Sequence, residues 1–150
     1  MNTYELNCNS PKISQQSQQV NIFLKRKVGL FRKETVGHAF LKITTGETEK
    51  IILDDFRLST GADEWGFGYG KMIISFAKTM ILKFYGEQEH TITVFPSSVV
   101  DGQTIEELYL KYLGIGFIFR DSEYSKDNPP SVLNKEMYIT FKRHTPGINN

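Results

Sequence analysis

The sequence has very little cysteine and no excess of charge of either sign, and each absence narrows the class of protein. Cys8 is the only cysteine in 150 residues, so no internal disulfide can form and a reducing compartment fits well. The chain carries 18 Lys and Arg residues against 17 Asp and Glu residues, a formal net charge of +1. This balance gives no overall reason to expect a nucleic-acid or membrane partner.

Long apolar runs and targeting signals are also missing. The most apolar stretch, residues 72–85, contains Lys78 and Lys83, so it is too short and too charged to span a bilayer. The first residues lack the basic and apolar regions of a secretion signal. We therefore expect a cytoplasmic protein. A length of 150 residues with 39% hydrophobic content fits one globular domain with a real core.

Several kinds of site are disfavoured by residue spacing. His38, His90 and His144 are far apart, and none of them has metal-ligand spacing with the cysteine, so we predict no metal site. A Walker-type phosphate loop requires Ser or Thr after its Gly-Lys pair, whereas Gly70 and Lys71 are followed by Met72.

The chain is organised around a glycine-rich stretch, residues 65–71 (WGFGYGK). An apolar-rich segment with the look of a buried strand precedes it at residues 51–58, and apolar residues at helical spacing follow it at residues 72–85. A strand, a glycine-rich turn and a helix together make an anion site, because glycines admit close backbone approach and the helix start supplies unpaired N–H groups. The alternative is a flexible connection to a core helix.

The remaining pattern predicts one α/β domain. Residues 1–19 predict a polar lead that is a short helix or disordered, residues 20–142 the domain, and residues 143–150 a loose tail. Strands are predicted at residues 21–28, 36–44 and 50–59 as an antiparallel meander, and at residues 90–95, 115–120 and 136–142. Helix 72–85 is predicted to end at Gly86, and a capping box of Thr104 and Glu107 begins a helix that stops at Gly114.

Three segments in this order resemble the GNAT N-acetyltransferase family: VGHAFL at residues 36–41, LDDFRL at residues 53–58 and WGFGYG at residues 65–70. The family turn usually reads Gln or Arg, two residues, Gly, one residue, then Gly or Ala. Gly68 and Gly70 match the two small positions, whereas Trp65 departs from the pattern. LYLKYLGIGF at residues 108–117 is similar to a tyrosine-lysine-glycine-phenylalanine signature of the family. The resemblance implies a GNAT-like mixed, mostly antiparallel twisted sheet with central helices and a shortened N-terminal region.

The resemblance also implies an activity and a co-substrate. It implies direct transfer of an acetyl group from acetyl-CoA to a primary amine of an unidentified acceptor. Backbone N–H groups of the turn would bind the CoA pyrophosphate, and Lys71 would add a direct charge contact. The residues of this site would be Trp65, Gly66, Phe67, Gly68, Tyr69, Gly70 and Lys71. Backbone groups of the preceding strand would pair with the pantetheine arm and polarise the thioester carbonyl, at Phe56, Arg57, Leu58 and Ser59.

Acid and base candidates follow from the same resemblance. Tyr109 matches the family's frequent general-acid tyrosine, and Tyr112 is an alternative because the segment is lengthened. Asp54 and Asp55 are candidates for the base on the strand that leads to the co-substrate. Strand alternation places these two carboxylates on opposite faces, so at most one faces the site. A chain of water molecules is the alternative base.

Two other functions remain open. A catalytically inactive GNAT-fold binding module is favoured by Trp65, by the short N-terminal region and by the lack of a secure base. A nucleic-acid or protein interaction domain is the other, and it would use the basic residues Lys25, Arg26, Lys27, Arg32 and Lys33. Such residues also protect an exposed edge strand from aggregation. Exposed strands are compatible with a homodimer.

Overall fold

The computed structural model describes residues 3–58 and 68–143. These residues form seven strands and two helices, in the order β1 (Tyr4–Cys8), β2 (Ser17–Lys27), β3 (Lys33–Thr44), β4 (Lys50–Leu58), α1 (Tyr69–Tyr85), β5 (His90–Val94), α2 (Ile105–Ile115), β6 (Ile118–Phe119) and β7 (Met137–Phe141). The strands make one sheet in the spatial order β1-β2-β3-β4-β5-β7-β6. Only β4 and β5 pair in parallel. A mixed, mostly antiparallel α/β fold is therefore confirmed.

The N-terminal segment differs from its prediction. Residues 4–8 form β1, which pairs antiparallel with β2 from Tyr4 opposite Arg26 to Cys8 opposite Ile22. The expected short helix or disordered lead at residues 1–19 is therefore wrong for this part. Pairing with β2 satisfies the backbone groups of β1, and Tyr4, Leu6 and Cys8 pack against the core. Both contributions depend on distant residues, so the local composition of residues 1–19 does not predict them. Residues 144–150 of the expected tail lie outside the described residues.

The core lies between the sheet and α1. Alternate side chains of β2 and β3 are buried on one face, and so is the apolar stripe of α1: Val20, Ile22, Leu24, Ala39, Leu41 and Ile43 on the strands, with Ile73, Ile74, Ala77 and Ile81 on the helix. The predicted helix is confirmed, and Gly86 follows its last residue with a φ of 106°. Neither helix in the described part of the chain has the length and apolar character needed to cross a bilayer.

The parallel pair is short. Since parallel neighbours need a crossover, α1 lies in the connection from β4 to β5. The two strands pair only at residues 51–53 of β4 and 92–94 of β5. Beyond Leu53, β4 pairs with β3 alone among the described residues. Residues 54–58 therefore keep an open backbone edge on the side that would continue along β5.

Helix α2 begins as its sequence predicts. The Thr104 hydroxyl accepts a hydrogen bond from the Glu107 N–H at 3.1 Å, and the Glu107 carboxylate accepts one from the Thr104 N–H at 3.2 Å. This capping box is confirmed. The helix continues to Ile115, one residue beyond the predicted stop, and Gly116 caps it. The strand predicted at residues 115–120 is shorter, because in this range only Ile118 and Phe119 form a strand, which pairs with β7.

His90 has a structural role at the end of α1. Its ring is buried, with Nδ1 at 2.6 Å from the Glu49 carboxylate and Nε2 at 2.8 Å from the Gly86 carbonyl oxygen. A carboxylate and a carbonyl are both acceptors, so each is satisfied when the ring nitrogen that faces it carries a proton. The ring thereby connects the first residue of β5 to the end of α1 and to the residue before β4.

Replacing His90 tests this connection. We expect His90→Ala to lower the free energy of unfolding by about 2–4 kcal/mol, because it leaves a cavity and two acceptors without donors. Urea unfolding followed by circular dichroism measures the change. Glu89→Ala, at an exposed neighbouring position, is the control and should change stability by less than about 0.5 kcal/mol. Equal effects of the two substitutions would contradict the assigned role.

Candidate functional site

A cleft of about 480 Å³ opens where β4 and β5 separate. Its walls come from β3, from the open half of β4, from the residues that follow β5 and from α2. The lining residues are His38, Leu53, Asp54, Asp55, Phe56, Arg57, Leu58, Val94, Phe95, Ser97, Ser98, Val99, Val100, Leu108, Lys111 and Tyr112. The cleft thus brings together both predicted carboxylates, three of the predicted strand residues and one of the two predicted tyrosines.

A β-bulge puts Asp54 and Asp55 on the same face of the sheet. Leu41 pairs with Leu53 and Phe40 pairs with Asp55, so Asp54 is the extra residue. The Asp54 carboxylate lies 3.6 Å from the Lys42 amine, and the Asp55 carboxylate lies 3.0 Å from His38. Lys42 and His38 point to the same side of β3 because they are four residues apart. The prediction that the two carboxylates face opposite sides is therefore wrong.

Asp55 organises the polar group at the cleft wall. One carboxylate oxygen lies 3.0 Å from Nε2 of His38, and the other accepts a hydrogen bond from Nε of Arg57, also at 3.0 Å. The His38 ring stacks on Phe40, with 4.5 Å between centroids. Two contacts therefore orient the His38 ring: the hydrogen bond between Nε2 and Asp55, and the stacking of one ring face on Phe40.

The electrostatics of this group favour His38 over Asp55 as a proton acceptor. Burial raises the pKa of Asp55, but the hydrogen bond and charge of His38, together with Arg57, outweigh it and hold the pKa below its ordinary value. A carboxylate with a lowered pKa is a weaker base. When Nε2–H of His38 donates to Asp55, Nδ1 is the ring atom that can accept a proton. Asp55 then orients the imidazole.

The structure places the two predicted tyrosines differently. The Tyr109 hydroxyl donates to the Val132 carbonyl oxygen at 2.5 Å and accepts from the Lys135 N–H at 3.2 Å, and it does not line the cleft. Tyr109 therefore holds the loop before β7 in place. Tyr112 lines the cleft with 5% of its surface exposed. Burial, and then the Asp55 charge, raise the pKa of Tyr112, so its hydroxyl stays protonated at neutral pH.

Lys111, next to Tyr112 on α2, brings an amine to the same cleft. Its side chain is half-buried, and Nζ lies 5.8 Å from the centroid of the Tyr112 ring. Burial lowers the pKa of Lys111 to about 7, because the charged ammonium loses hydration there. A large fraction of this amine is therefore neutral at physiological pH.

The glycine-rich turn is partly within the described residues. Gly68 precedes α1 with a φ of 77° and has no side chain to cap the helix, and the first turn of the helix has no acidic residue. Gly70 lies against the cleft wall, since a Cβ there would be 3.2 Å from the Phe56 ring. Lys71 is exposed. The other predicted turn residues, Trp65, Gly66 and Phe67, lie outside the described residues, and so does Ser59, which was predicted to pair with the pantetheine arm.

Tyr69 takes a structural position in the turn. The side chain is buried, its hydroxyl lies 3.0 Å from the Tyr4 hydroxyl, and the two rings are 5.5 Å apart. The first residue of α1 is therefore anchored to β1.

The basic segment lies at the hairpin between β2 and β3. Arg26 is paired with Glu34, and Lys33 lies 2.5 Å from Glu5, so part of its charge is compensated by neighbouring strands. Leu30 and Phe31 at the hairpin tip are 90% and 100% exposed. The segment does not line the cleft.

Sequence reasoning missed His38 and Lys111. His38 becomes visible only once β3 and β4 are paired in register, although its place in the meander was a signal. Lys111 had no signal beyond its position beside Tyr112, since its properties come from burial. Among the residues that the structure describes, no group of three or more His, Cys, Asp or Glu side chains could hold a metal ion.

Asp55→Asn tests the electrostatics of the cleft wall. Since the folded pKa lies below the ordinary 3.8, the contacts of the carboxylate stabilise the fold above that pH and are lost as the pH falls through the folded pKa. We expect the variant to be less stable by about 1 kcal/mol at neutral pH, with the difference shrinking as the pH falls below the ordinary 3.8 and through the folded pKa. Urea unfolding over a pH series measures it, with Asp127→Asn in an exposed loop as control. A difference that is constant with pH would contradict the lowered pKa.

Comparison with known proteins leaves the family open. No protein-family model and no curated protein matches the chain. Among solved structures, the chain is similar to the one titled "Crystal structure of Anti-CRISPR protein AcrVA5", with 14% sequence identity and a TM-score of 0.44. The match covers 83% of this chain and 98% of that chain. A likeness of this extent carries no conclusion about function.

Proposed function

We propose that the protein is an acyltransferase that moves an acetyl group from acetyl-CoA directly to a primary amine. The observation that carries the proposal is the cleft at the separation of β4 and β5, where an open strand edge faces a histidine, a carboxylate and a protonated tyrosine. Such a place offers both backbone pairing for an extended ligand and groups that transfer protons.

The residues present fit an extended thioester with a phosphorylated end. Among the described residues, the backbone groups of residues 54–58 have no strand partner along one edge, and such groups suit the amides of a pantetheine arm. A helix start supplies backbone N–H groups, here at Gly70 and Lys71, and the first turn of α1 has no acidic side chain, so its field favours a pyrophosphate. Acetyl-CoA supplies the activated acyl group when bound.

The side chains of the cleft supply the proton transfers. Attack by an amine forms a C–N bond and breaks the C–S bond, so one proton must leave the amine and one must reach the sulfur. His38 accepts the amine proton at Nδ1, and Asp55 holds its ring through Nε2. Tyr112 donates a hydrogen bond to the departing sulfur. Because its raised pKa disfavours transfer of the whole proton to a thiolate of ordinary pKa about 8.5, the sulfur takes its proton from protonated His38 or from solvent.

Gly68→Asp and Gly68→Asn form a matched pair that tests the co-substrate. Both residues tolerate a φ of 77° better than other side chains do, and they differ by one charge. Calorimetric titration of wild type with acetyl-CoA should give micromolar binding. We expect Gly68→Asp to weaken this binding by about tenfold or more through repulsion of the pyrophosphate, and Gly68→Asn to weaken it much less.

The outcomes separate the functional candidates. If acetyl-CoA does not bind to the wild type, the acyltransferase proposal is wrong. Binding without turnover across a broad panel of amines would replace it with a binding module of the same fold. Equal loss of binding in both Gly68 variants would show that the side chain, and not its charge, is responsible.

His38→Gln tests the proton acceptor. Gln keeps a polar group beside Asp55 but cannot accept a proton at neutral pH, so we expect kcat to fall by about 10²–10³-fold. The affinity for acetyl-CoA should stay within about twofold of wild type, because the ring does not belong to the pyrophosphate or pantetheine contacts. Steady-state release of free thiol, with any amine that the wild type accepts, measures the change.

Tyr112→Phe serves as the comparison in the same assay. It removes a hydrogen bond but no proton acceptor, so a smaller loss of about tenfold is expected. A His38→Gln variant with wild-type kcat would exclude His38 from the reaction and return the role to a chain of water molecules.

A further inference from the structure

Among the described residues that line the cleft, Lys111 is the one lysine, and the proposed acyl transfer gives it no role. It lies on the middle of α2, adjacent in sequence to Tyr112, and both residues line the same cleft as the open edge of β4. This lysine therefore lines the same cleft as the groups that would flank the reacting thioester. The protein thereby carries, within its own site, the functional group that an acceptor would have to bring.

We propose that Lys111 is an acyl acceptor, and that its amine takes the acetyl group of a thioester held in the cleft. This inference rests on the proposed acyl transfer and extends it to a modification of the protein itself. In the step, the lone pair of Nζ attacks the thioester carbonyl, the C–N bond forms and the C–S bond breaks. The proton lost by Nζ passes to His38 or to solvent, and the sulfur leaves as thiolate and is then protonated. No oxidant or reductant is required.

The protonation state of Lys111 supports this reaction. With the pKa at about 7, about half of the amine is neutral at neutral pH, whereas an unperturbed lysine with a pKa near 10.4 is neutral in fewer than about one molecule in a thousand. Among the described residues, the charged and titratable groups that line the cleft with it are Asp54, Asp55, Arg57, His38 and Tyr112. Burial of the amine is the cause that lowers its pKa.

The product would be lasting. An amide is far less reactive than a thioester, so acetylated Lys111 is an end state and not an intermediate on the way to another acceptor. It replaces a titrating amine with a neutral, larger group that projects into a cleft of about 480 Å³. Modification would therefore narrow the space left for an acceptor and limit further turnover.

Intact mass spectrometry with peptide mapping tests the inference. Full-length wild type is incubated with acetyl-CoA at neutral pH, and separately with acetyl-N-acetylcysteamine, a small thioester that lacks the nucleotide. We expect about one acetyl group per chain, located on Lys111, at a rate at least about tenfold above that of the exposed Lys126. The rate per chain should not depend on protein concentration, because each molecule modifies itself.

Three variants control for loss of structure. Lys111→Arg keeps a long cationic side chain, Lys111→Met keeps the apolar stem, and Lys126→Arg removes an exposed lysine. Circular dichroism establishes that each variant folds. Selective acetylation should disappear in both Lys111 variants and persist in Lys126→Arg. Persistence of a single acetyl group in a folded Lys111 variant would overturn the assignment.

The two thioesters make the failures distinguishable. If calorimetry shows that acetyl-CoA binds but Lys111 is no faster than Lys126, the inference is overturned and the proposed acyltransferase stands. If acetyl-CoA does not bind, the proposed function fails, and the small thioester alone decides the inference. Selective labelling of Lys111 by that reagent supports its role as an acyl acceptor, and indiscriminate labelling overturns it.

Discussion

The cleft exists because the parallel pairing of β4 and β5 ends after three residues. Strands β4 and β5 run in parallel for only three residues each, and the bulge at Asp54 comes immediately after the last paired residue of β4. A bulge bends its strand and increases the local twist, so β4 turns away from the line of β5 at this point. The edge that is left open would be a hazard in most sheets, because unpaired N–H and C=O groups attract other strands. Here it faces a cleft that is also bounded by α2, which restricts access to it.

The same bulge explains why so many charged groups share one wall. By placing Asp54 and Asp55 on one face, it puts each carboxylate next to a basic partner on β3, namely Lys42 and His38. Arg57, two residues beyond Asp55, completes the compensation. Paired charges keep a polar wall stable beside a core. These contacts hold the pKa of Asp55 below its ordinary value, whereas burial lowers the pKa of Lys111 on α2 to about 7.

Local sequence patterns were enough to predict the helices and the antiparallel strands. The apolar stripe of α1, the capping box of α2 and the antiparallel meander each follow from periodicity or turn chemistry, and each is present. The bulge was not predictable, because it is a property of the register between two strands and not of either sequence alone. The sequence left Tyr109 and Tyr112 as alternatives for a related reason. Both belong to the buried face of one helix, and only tertiary packing decides which hydroxyl meets a loop and which meets the cleft.

The two glycines of the turn show how the helix and the cleft are coupled. Gly68 is required by its backbone, since a φ of 77° is costly for most residues, and a Cβ there would meet no neighbour within 4 Å. Gly70 is required by its neighbours, since its Cβ would approach Ile115 and Phe56. Phe56 in turn packs against Tyr112, with 5.9 Å between ring centroids. A ligand that displaced the start of α1 would therefore also displace Phe56 and Tyr112, because Gly70, Phe56 and Tyr112 are already packed against one another. Rigid packing of this kind positions the glycine-rich turn, which we propose binds an anion, against the cleft before any ligand arrives.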